Sequence, residues 1–272
     1  MIELHCHTTM SDGTLTPTEL VVAARNAGVQ AIAITDHDTL SGWTEAQTAC
    51  DVHGLELIPG LELSTTHEGH SLHVLGFYPR AEELAPFLVE RHRARIDRAE
   101  KIVAKLAALG FPIDMPQVKT PGRFHIAHAL REAGYIKDEQ DAFRRWLSDS
   151  GPAFVPYGDL SAAEGIRVLR ECGAVPVWAH PLLFRGGSVE SVLPILVAAG
   201  LQGIEVYHSE HTPRQSARLL KLAQRYDLVP TGGSDFHGTN KDGVTLNMLH
   251  LPLSLLPPLK ARITQPLEYA KA

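Results

Sequence analysis

Histidine and carboxylate side chains recur where the apolar segments of this sequence end. Six segment ends carry such groups, and coincidence at all six is a poor explanation. The candidate metal ligands are His5, His7, Asp12, His37, Glu62, His73, His180, Asp235 and His237. Imidazole and carboxylate donors without cysteine suit manganese, zinc, iron or magnesium. The set is large enough for two or three divalent ions.

The first pair shows how the spacing works. His5 and His7 are two residues apart, and on a β-strand this spacing sends both imidazoles to the same face. They can therefore share one metal. Asp12 follows in a loop that leaves the strand at its carboxyl end, where barrel enzymes place their active sites. Taken alone, the histidine pair is a weak signal and Asp12 is an ordinary turn residue.

Titratable groups also close the later apolar segments. His37 lies in Thr35–Asp38, directly after the apolar run Ala31–Ile34, and Glu62 stands between two leucines. Such groups are costly in apolar surroundings unless they are solvated or coordinated. An edge-strand glutamate facing water is the alternative for Glu62. His180 and the Asp235–His237 turn end two further apolar runs beyond the middle of the chain.

Apolar segments alternate with amphipathic ones along most of the chain, which indicates a parallel sheet or barrel. Thr16–Glu19 provides an N-cap, a proline and a capping-box glutamate for the first helix, and Gly28 ends it. The alternation breaks at residues 82–154, where only helices are expected. The sequence thus predicts an α/β fold with one barrel domain, residues 1–81 and 155–272, interrupted by an inserted helical cap, residues 82–154.

The bulk composition excludes several classes of protein. The 272 residues are 44% hydrophobic, enough for a sizeable core, and the formal net charge of −6 gives no basic field for nucleic acid. The three cysteines are odd in number and widely spaced, which argues against a disulfide framework and favours a reducing cytoplasm. The N-terminus lacks signal-peptide character, and no stretch is apolar enough to span a membrane. No stable protein partner is predicted.

The ordered motifs H-x-H, S-D-G, T-D-H-D, A-H-P and G-S-D-F-H resemble those of the polymerase and histidinol phosphatase (PHP) family of metal-dependent phosphoesterases. The resemblance runs from Ile2 to about Gly238. It implies a distorted seven-stranded β/α barrel with three metals at the carboxyl ends of the strands. Within the cap, the segments at residues 122–127, 134–136 and 155–156 resemble the branch that hydrolyses 3′,5′-bisphosphonucleosides and trims short RNA from its 5′ end.

The resemblance also implies three ligand sets. They are His5, His7, Glu62 and Asp235 for the first metal, Glu62, His73 and His180 for the second, and Asp12, His37 and His237 for the third. Glu62 would bridge two metals. Asp36 and Asp38 are expected to orient ligands rather than to bind metal.

The function implied is removal of the 3′-phosphate of 3′,5′-bisphosphonucleosides, with 5′-3′ exonuclease action on short RNA as a further activity. A phosphatase for another small phosphomonoester, such as histidinol phosphate, and a non-catalytic metal-binding domain are the alternatives. The candidate catalytic residues are Asp12, His37, His208 and His237.

Candidates for gripping a second phosphate or protonating the leaving group are Arg123, His125, Arg185, His208 and His211. Phe124 can stack on a base or pack the cap against the barrel. The branch often has proline at position 124, and often has Gly-Arg-Tyr where this chain has Leu182-Leu183-Phe184, with Arg185 following. A phosphate-clamping arginine is therefore expected to be displaced. The arginine-rich run at 91–98 is expected on the helix surface, and His67 and His70 on the protein surface.

Overall fold

A computed structural model describes residues 1–158, 160–241 and 243–263. Seven strands form one sheet in chain order. The strands are β1 (Ile2–Glu3), β2 (Ala31–Ile34), β3 (Glu56–His67), β4 (His70–Phe77), β5 (Val175–Trp178), β6 (Gly203–His208) and β7 (Val229–Gly233). The helices are α1 (Pro17–Asn26), α2 (Trp43–His53), α3 (Ala81–Ala108), α4 (Arg123–Glu132), α5 (Glu139–Ala142), α6 (Ala162–Glu171), α7 (Val189–Ala198), α8 (Pro213–Arg225) and α9 (Leu256–Lys260).

The sheet is mixed, although strand-helix alternation predicted a parallel one. Strand β4 is antiparallel to both β3 and β5, while the other neighbours are parallel. The reason is the connection: β3 and β4 are joined by a two-residue turn at Glu68 and Gly69, both with positive φ, and so short a link allows only an antiparallel pair. The first half of β4 consequently lies at the end of the barrel where the parallel strands finish.

The two edges of the sheet approach each other beyond β1 and β7. Cys6 and Phe236 form a parallel bridge, and the backbone N–H of His7 donates to the carbonyl of Phe236 over 2.9 Å. This contact nearly closes the barrel, so the predicted distorted seven-stranded β/α barrel is confirmed. It also brings His5 and His7 next to Asp235.

Several ligand positions differ from the strand-end placement that the sequence predicted. His5 and His7 lie beyond β1, which ends at Glu3. Glu62 and His73 lie inside β3 and β4, because these two strands continue as a hairpin past the end of β2. A bridge between His37 and Glu62 nevertheless sets the middle of β3 level with the end of β2.

Helix α3 links the barrel to the cap. Leu84 and Leu88 pack into the main barrel core, whereas Ile102 and Leu106 pack into a separate apolar cluster with α4 and the π-helical turn Phe143–Leu147. Three arginines lie between these two ends on the same buried stripe, at positions 91, 95 and 98. The prediction that the arginine run at 91–98 lies on the helix surface is therefore wrong for these three, whereas Arg93 is exposed. The three buried arginines are spaced four and three residues apart, so they continue the apolar repeat of the helix.

The start of α1 confirms the local sequence signal. The Thr16 hydroxyl accepts from the backbone of Glu19, and the Glu19 carboxylate accepts from the backbone of Thr16. Within the described residues, no helix combines the length and apolar character needed to cross a membrane.

Candidate metal centre

One group of donors converges around Glu62. The Nε2 atoms of His5 and His7 lie 3.3 and 3.2 Å from Glu62 Oε2. Both also lie 3.3 Å from Asp235 Oδ1. Two donors bound about 2.1 Å from one ion, at tetrahedral or octahedral angles, are separated by roughly 3.0–3.4 Å. These four side chains therefore have the spacing of ligands that share one ion.

A second group surrounds Asp12 at the mouth of the barrel. Asp12 lies 3.6 Å from His37 Nε2, 3.3 Å from His237 Nε2 and 3.5 Å from His7 Nδ1. The rings of His7 and His237 are stacked, with centroids 4.0 Å apart. The ligand atoms of this group all lie within 4.8 Å of one another.

A third group uses the other oxygen of Glu62. His73 Nδ1 and His180 Nε2 each lie 2.9 Å from Glu62 Oε1, while His37 Nδ1 lies 3.3 Å from Glu62 Oε2. The two carboxylate oxygens of Glu62 thus face different sets of imidazoles. This is the geometry expected of a bridging carboxylate, and all nine predicted ligands are brought together at one end of the barrel.

The donor atoms of this cluster fit divalent ions. Within the described part of the chain, His5 Nε2, His7 Nε2 and His37 Nδ1 are buried and have no hydrogen-bond partner. A buried polar atom without a partner is costly. Metal ions supply the missing interaction, and a donor set of imidazole and carboxylate, without a thiolate, is typical of manganese, zinc or iron sites.

Buried groups behind the ligands fix their orientation. Glu205 accepts from His5 Nδ1 over 3.0 Å and from the backbone N–H of His180 over 2.7 Å. His5 therefore carries its proton on Nδ1 and directs Nε2 at the cluster. Sequence reasoning missed Glu205, although it is a carboxylate within an apolar strand, the same signal that identified Glu62.

Asp36 and Asp38 hold the loops that carry the candidate ligands. Asp36 accepts from the backbone and hydroxyl of Thr8, both over 2.7 Å, and from the Ser11 hydroxyl over 2.6 Å. Asp38 accepts from the backbone of Ser64 and forms a buried ion pair with Arg95. Neither carboxylate belongs to the converging donor groups.

The electrostatics of the cluster are strongly coupled. At His7, burial opposes the charge, yet Asp235 and Glu62 raise the pKa to about 10. The imidazoles in turn, against the effect of burial, hold the pKa values of Asp12 and Glu62 well below the usual range. Lys241, followed by His5 and His237, does the same for the pKa of Asp235. Burial holds the pKa of His37 well below that of a free histidine. Ligating imidazoles must be neutral, so metal binding displaces protons from this cluster.

Two cavities open from the cluster. The cap pocket, about 240 Å³, is lined by cluster residues and by Arg95, Arg123, Phe124, Tyr157 and Lys241. The hairpin pocket, about 550 Å³, lies beside the β3–β4 turn and is lined by His70, Ser71, Trp178, Phe184 and Arg185. Both cavities include His73 and Arg123. The predicted surface residue His70 thus lines a cavity, and Arg185 lies in the hairpin pocket.

Cationic groups at the cap pocket are already paired. Arg95 donates to the Asp38 carboxylate, the Ser64 hydroxyl and the Pro121 carbonyl. A second arginine, Arg123, donates to Asp149 and to the carbonyl of Leu147. The Lys241 ammonium lies 2.8 Å from Asp235. Arg95 and Lys241 were missed as site residues; for Arg95 the signal was its place on the buried stripe of α3.

Three of the predicted substrate-binding histidines lie outside both cavities. His208 is buried behind Asp235: its Nδ1 accepts the backbone N–H of Glu210, so Nε2 carries the proton and faces Asp235 Oδ2 at 3.5 Å. His211 contacts the Val206 carbonyl next to it. In the cap, His125 Nδ1 accepts from the backbone of Gly122. None of the three lines the cap pocket or the hairpin pocket.

Similar proteins identify the class of this site. Residues 3–116 match the PHP domain. A 5′-3′ exoribonuclease from Haemophilus influenzae is 35% identical over 244 residues, which cover 86% of this chain and 89% of that protein. This chain belongs to the PHP family. A 3′,5′-nucleoside bisphosphate phosphatase from Chromobacterium violaceum is 32% identical over 282 residues, covering 97% of this chain and 98% of that protein.

The structural comparison agrees with the sequence comparison. A crystal structure from Bifidobacterium adolescentis, described as that of a metal-dependent phosphoesterase, superposes with a TM-score of 0.87 at 34% identity, over 97% of this chain and 96% of that one. The PHP chain described here is accordingly a metal-dependent phosphoesterase and a hydrolase. The non-catalytic alternative is not supported.

Proposed function

We propose that this PHP phosphoesterase removes the 3′-phosphate of 3′,5′-bisphosphonucleosides. The observation that carries the proposal is the cap pocket, which sets three cations and three aromatic rings directly beside the histidine and carboxylate cluster. A bisphosphonucleoside has the complementary parts: a reacting phosphate, a second phosphate and a base. The similarity to the Chromobacterium violaceum phosphatase supports the same substrate class.

The nine converging ligands are proposed to hold two or three divalent ions, with manganese preferred and zinc, iron or magnesium as alternatives. When bound, such ions lower the pKa of water from 15.7 towards roughly 7 and stabilise the charge on the phosphoryl oxygens. The proposal keeps the three ligand sets stated from the sequence, with Glu62 common to two of them. Asp12, His37 and His237 line the cap pocket, as do His73 and Asp235 from the other two sets.

The protein residues around the cap pocket are proposed to bind and orient the substrate. Arg95, Arg123 and Lys241 bind the second phosphate through charge-assisted hydrogen bonds, and Phe124 or Tyr157 stacks on the base. Local cations are necessary because the net charge of −6 gives no long-range attraction for a polyanion. Arg123 and Arg95 must exchange a carboxylate contact for the phosphate.

Hydrolysis adds the hydroxyl of water to phosphorus, breaks the bond between phosphorus and O3′, and leaves the remaining proton on O3′. His125 is not proposed to touch this oxygen, because it lines neither cavity; its Nδ1 accepts from the backbone of Gly122, and burial lowers the pKa of the ring. His208 is proposed to hold Asp235 rather than to touch the substrate, since it is buried behind that carboxylate.

We also propose that residues 82–154 form the cap and that 1–81 with 155–272 form the barrel domain; residues 264–272 lie outside the described part. The separate apolar cluster that runs from Ala99 to Ala153 supports a cap with its own core. A cytoplasmic location is proposed because the three cysteines are buried and unpaired.

The test is a phosphate-release assay on the full chain reconstituted with manganese. Adenosine 3′,5′-bisphosphate, adenosine 5′-monophosphate and histidinol phosphate are compared at equal concentration. We expect the highest kcat/KM for the bisphosphate. A higher value for histidinol phosphate would replace the proposed substrate with a different small phosphomonoester, and no release from any of the three would remove the phosphatase proposal.

A further inference from the structure

The cap pocket and the hairpin pocket meet at the metal centre. Both are lined by His73 and Arg123, and His73 lies 2.9 Å from the proposed bridging carboxylate Glu62. A bisphosphonucleoside has a single nucleoside, which the cap pocket accommodates in the proposed reaction. The hairpin pocket, with about 550 Å³, is the larger of the two and is left without a role.

One wall of the hairpin pocket is aromatic. The ring centroid of Phe184 lies 6.1 Å from that of Trp178 and 6.3 Å from that of His70, both in edge-to-face arrangements. Aromatic walls of this kind stack on nucleobases with little regard to sequence. Nδ1 of His70 is buried and has no hydrogen-bond partner within the described residues, so a polar atom is available to a base edge.

A cationic side chain that is unpaired within the described residues lies at the same wall. Arg185 lines the hairpin pocket and is exposed, and it has no ion pair or hydrogen bond to the rest of the described chain. Arg123, by contrast, is held by Asp149 at the boundary of the two cavities. A free guanidinium beside an aromatic wall suits a phosphodiester backbone that carries a base.

We propose that the hairpin pocket binds the nucleotide on the 3′ side of the scissile phosphate in a short 5′-phosphorylated RNA. This inference rests on the proposed function, because the terminal nucleotide takes the cap pocket as a bisphosphonucleoside does. The chemical step is unchanged: water adds its hydroxyl to phosphorus, the bond to O3′ of the terminal nucleotide breaks, and O3′ takes the proton. The second nucleotide keeps the phosphate at its 5′ position.

Two variants of the full chain test the hairpin pocket. Phe184→Leu removes the ring face while largely keeping the packing volume, and Leu183→Trp fills the cavity that Leu183 lines. Leu253→Trp, at an exposed leucine outside both pockets, is the matched control for an added indole. Each protein is reconstituted with manganese and assayed on adenosine 3′,5′-bisphosphate and on the 5′-phosphorylated dinucleotide pApA. Thermal unfolding checks that each is folded.

We expect both hairpin-pocket variants to lose about 5-fold to 100-fold in kcat/KM for pApA, the range that loss of one base stack predicts. Hydrolysis of the bisphosphate should stay within about twofold of wild type, as it should for Leu253→Trp on both substrates. Equal losses on the two substrates, or an unchanged rate on pApA, would overturn the hairpin-pocket proposal.

The wild-type protein separates the two proposals. Cleavage of the bisphosphate but not of pApA overturns the hairpin pocket alone. Cleavage of pApA but not of the bisphosphate overturns the phosphatase function, and the two variants then still test the pocket on the dinucleotide. Cleavage of neither substrate overturns both.

Discussion

The barrel end and the cap differ in whether the polar groups that they direct at the site already have partners. At the barrel end, several buried imidazole nitrogens have no hydrogen-bond partner in the described chain. At the cap, the cations are paired: Arg95 with Asp38, and Arg123 with Asp149. The first region requires a ligand to satisfy its atoms, whereas the second is already satisfied without one.

This difference indicates how the site distinguishes substrates with two phosphates from substrates with one. Metal ions are expected to bind a prearranged set of donors, because backing groups such as Glu205 hold the imidazoles in place. A substrate phosphate must instead compete with carboxylates for the cap arginines. A substrate with two phosphates competes better than one with a single phosphate, because each additional charge adds its own contacts.

Loss of a converging donor should have the largest effect. His7→Ala removes an imidazole that two of the converging groups share. We expect the protein to lose bound metal and phosphate release to fall below detection, as it should when the wild-type protein is treated with a chelator. Metal content by elemental analysis and the phosphate assay check this together. Full activity in His7→Ala would contradict the assignment of the cluster.

Arg95→Met tests whether the cap arginine is structural as well as functional. Its ion pair with Asp38 has side chains only 2% and 1% exposed. Removing one partner leaves a buried charge, which costs about 3–5 kcal/mol in the free energy of unfolding. The double variant Arg95→Met/Asp38→Asn should recover part of this loss in denaturant unfolding. If Arg95 acted only on substrate, the free energy of unfolding of Arg95→Met would equal that of the wild type.

Glu205→Gln tests the prearrangement of the barrel end. The glutamine has one oxygen where Glu205 uses two, for His5 Nδ1 and for the backbone of His180. We expect metal affinity to fall by roughly 10-fold to 100-fold, as for other groups that orient ligands. Titration with manganese measures the change. Saturating metal should restore much of kcat, an outcome that misfolding would not give.

The paired state of the cap is tested by a variant that should improve substrate binding. Asp149→Asn keeps an oxygen for the backbone of Ser71 but frees Arg123 from its charged partner. We expect KM for the bisphosphate to fall about two- to fivefold, since a partly exposed ion pair contributes about 1 kcal/mol or less. Arg123→Gln should raise KM. A rise in KM for both variants would show that the pair acts only as a structural link.

The smallest effect is expected at the start of α1, which supplies none of the converging donors. Thr16→Ala removes the N-cap of α1, where the Thr16 hydroxyl accepts from the backbone of Glu19. We expect a loss of about 1 kcal/mol in the free energy of unfolding and no change in kcat/KM. Denaturant unfolding and the phosphate assay measure the two quantities. A change in activity would mean that α1 influences the metal centre.

Local sequence patterns, taken together over the six segment ends, pointed to the converging donors. The two-residue spacing of His5 and His7 sets their common direction, and a carboxylate between leucines, such as Glu62, requires a partner wherever it is buried. Helix α1 could be predicted for the same reason, since its capping box involves only Thr16 and Glu19. These features depend on neighbours within a few residues.

Only the tertiary structure decided which groups stand behind and around the donors. Glu205 meets His5 across 200 positions of the chain, and Arg95 meets Asp38 across 57. The alternation of a strand indicates which residues share a face but not which strand lies beside it, and the stripe of α3 does not reveal that its arginines are buried. The direction of β4 follows from its short turn after β3, but its pairing with β5, which joins Leu75 to Val177, is set by contacts distant in sequence, and so is the hairpin pocket beside it.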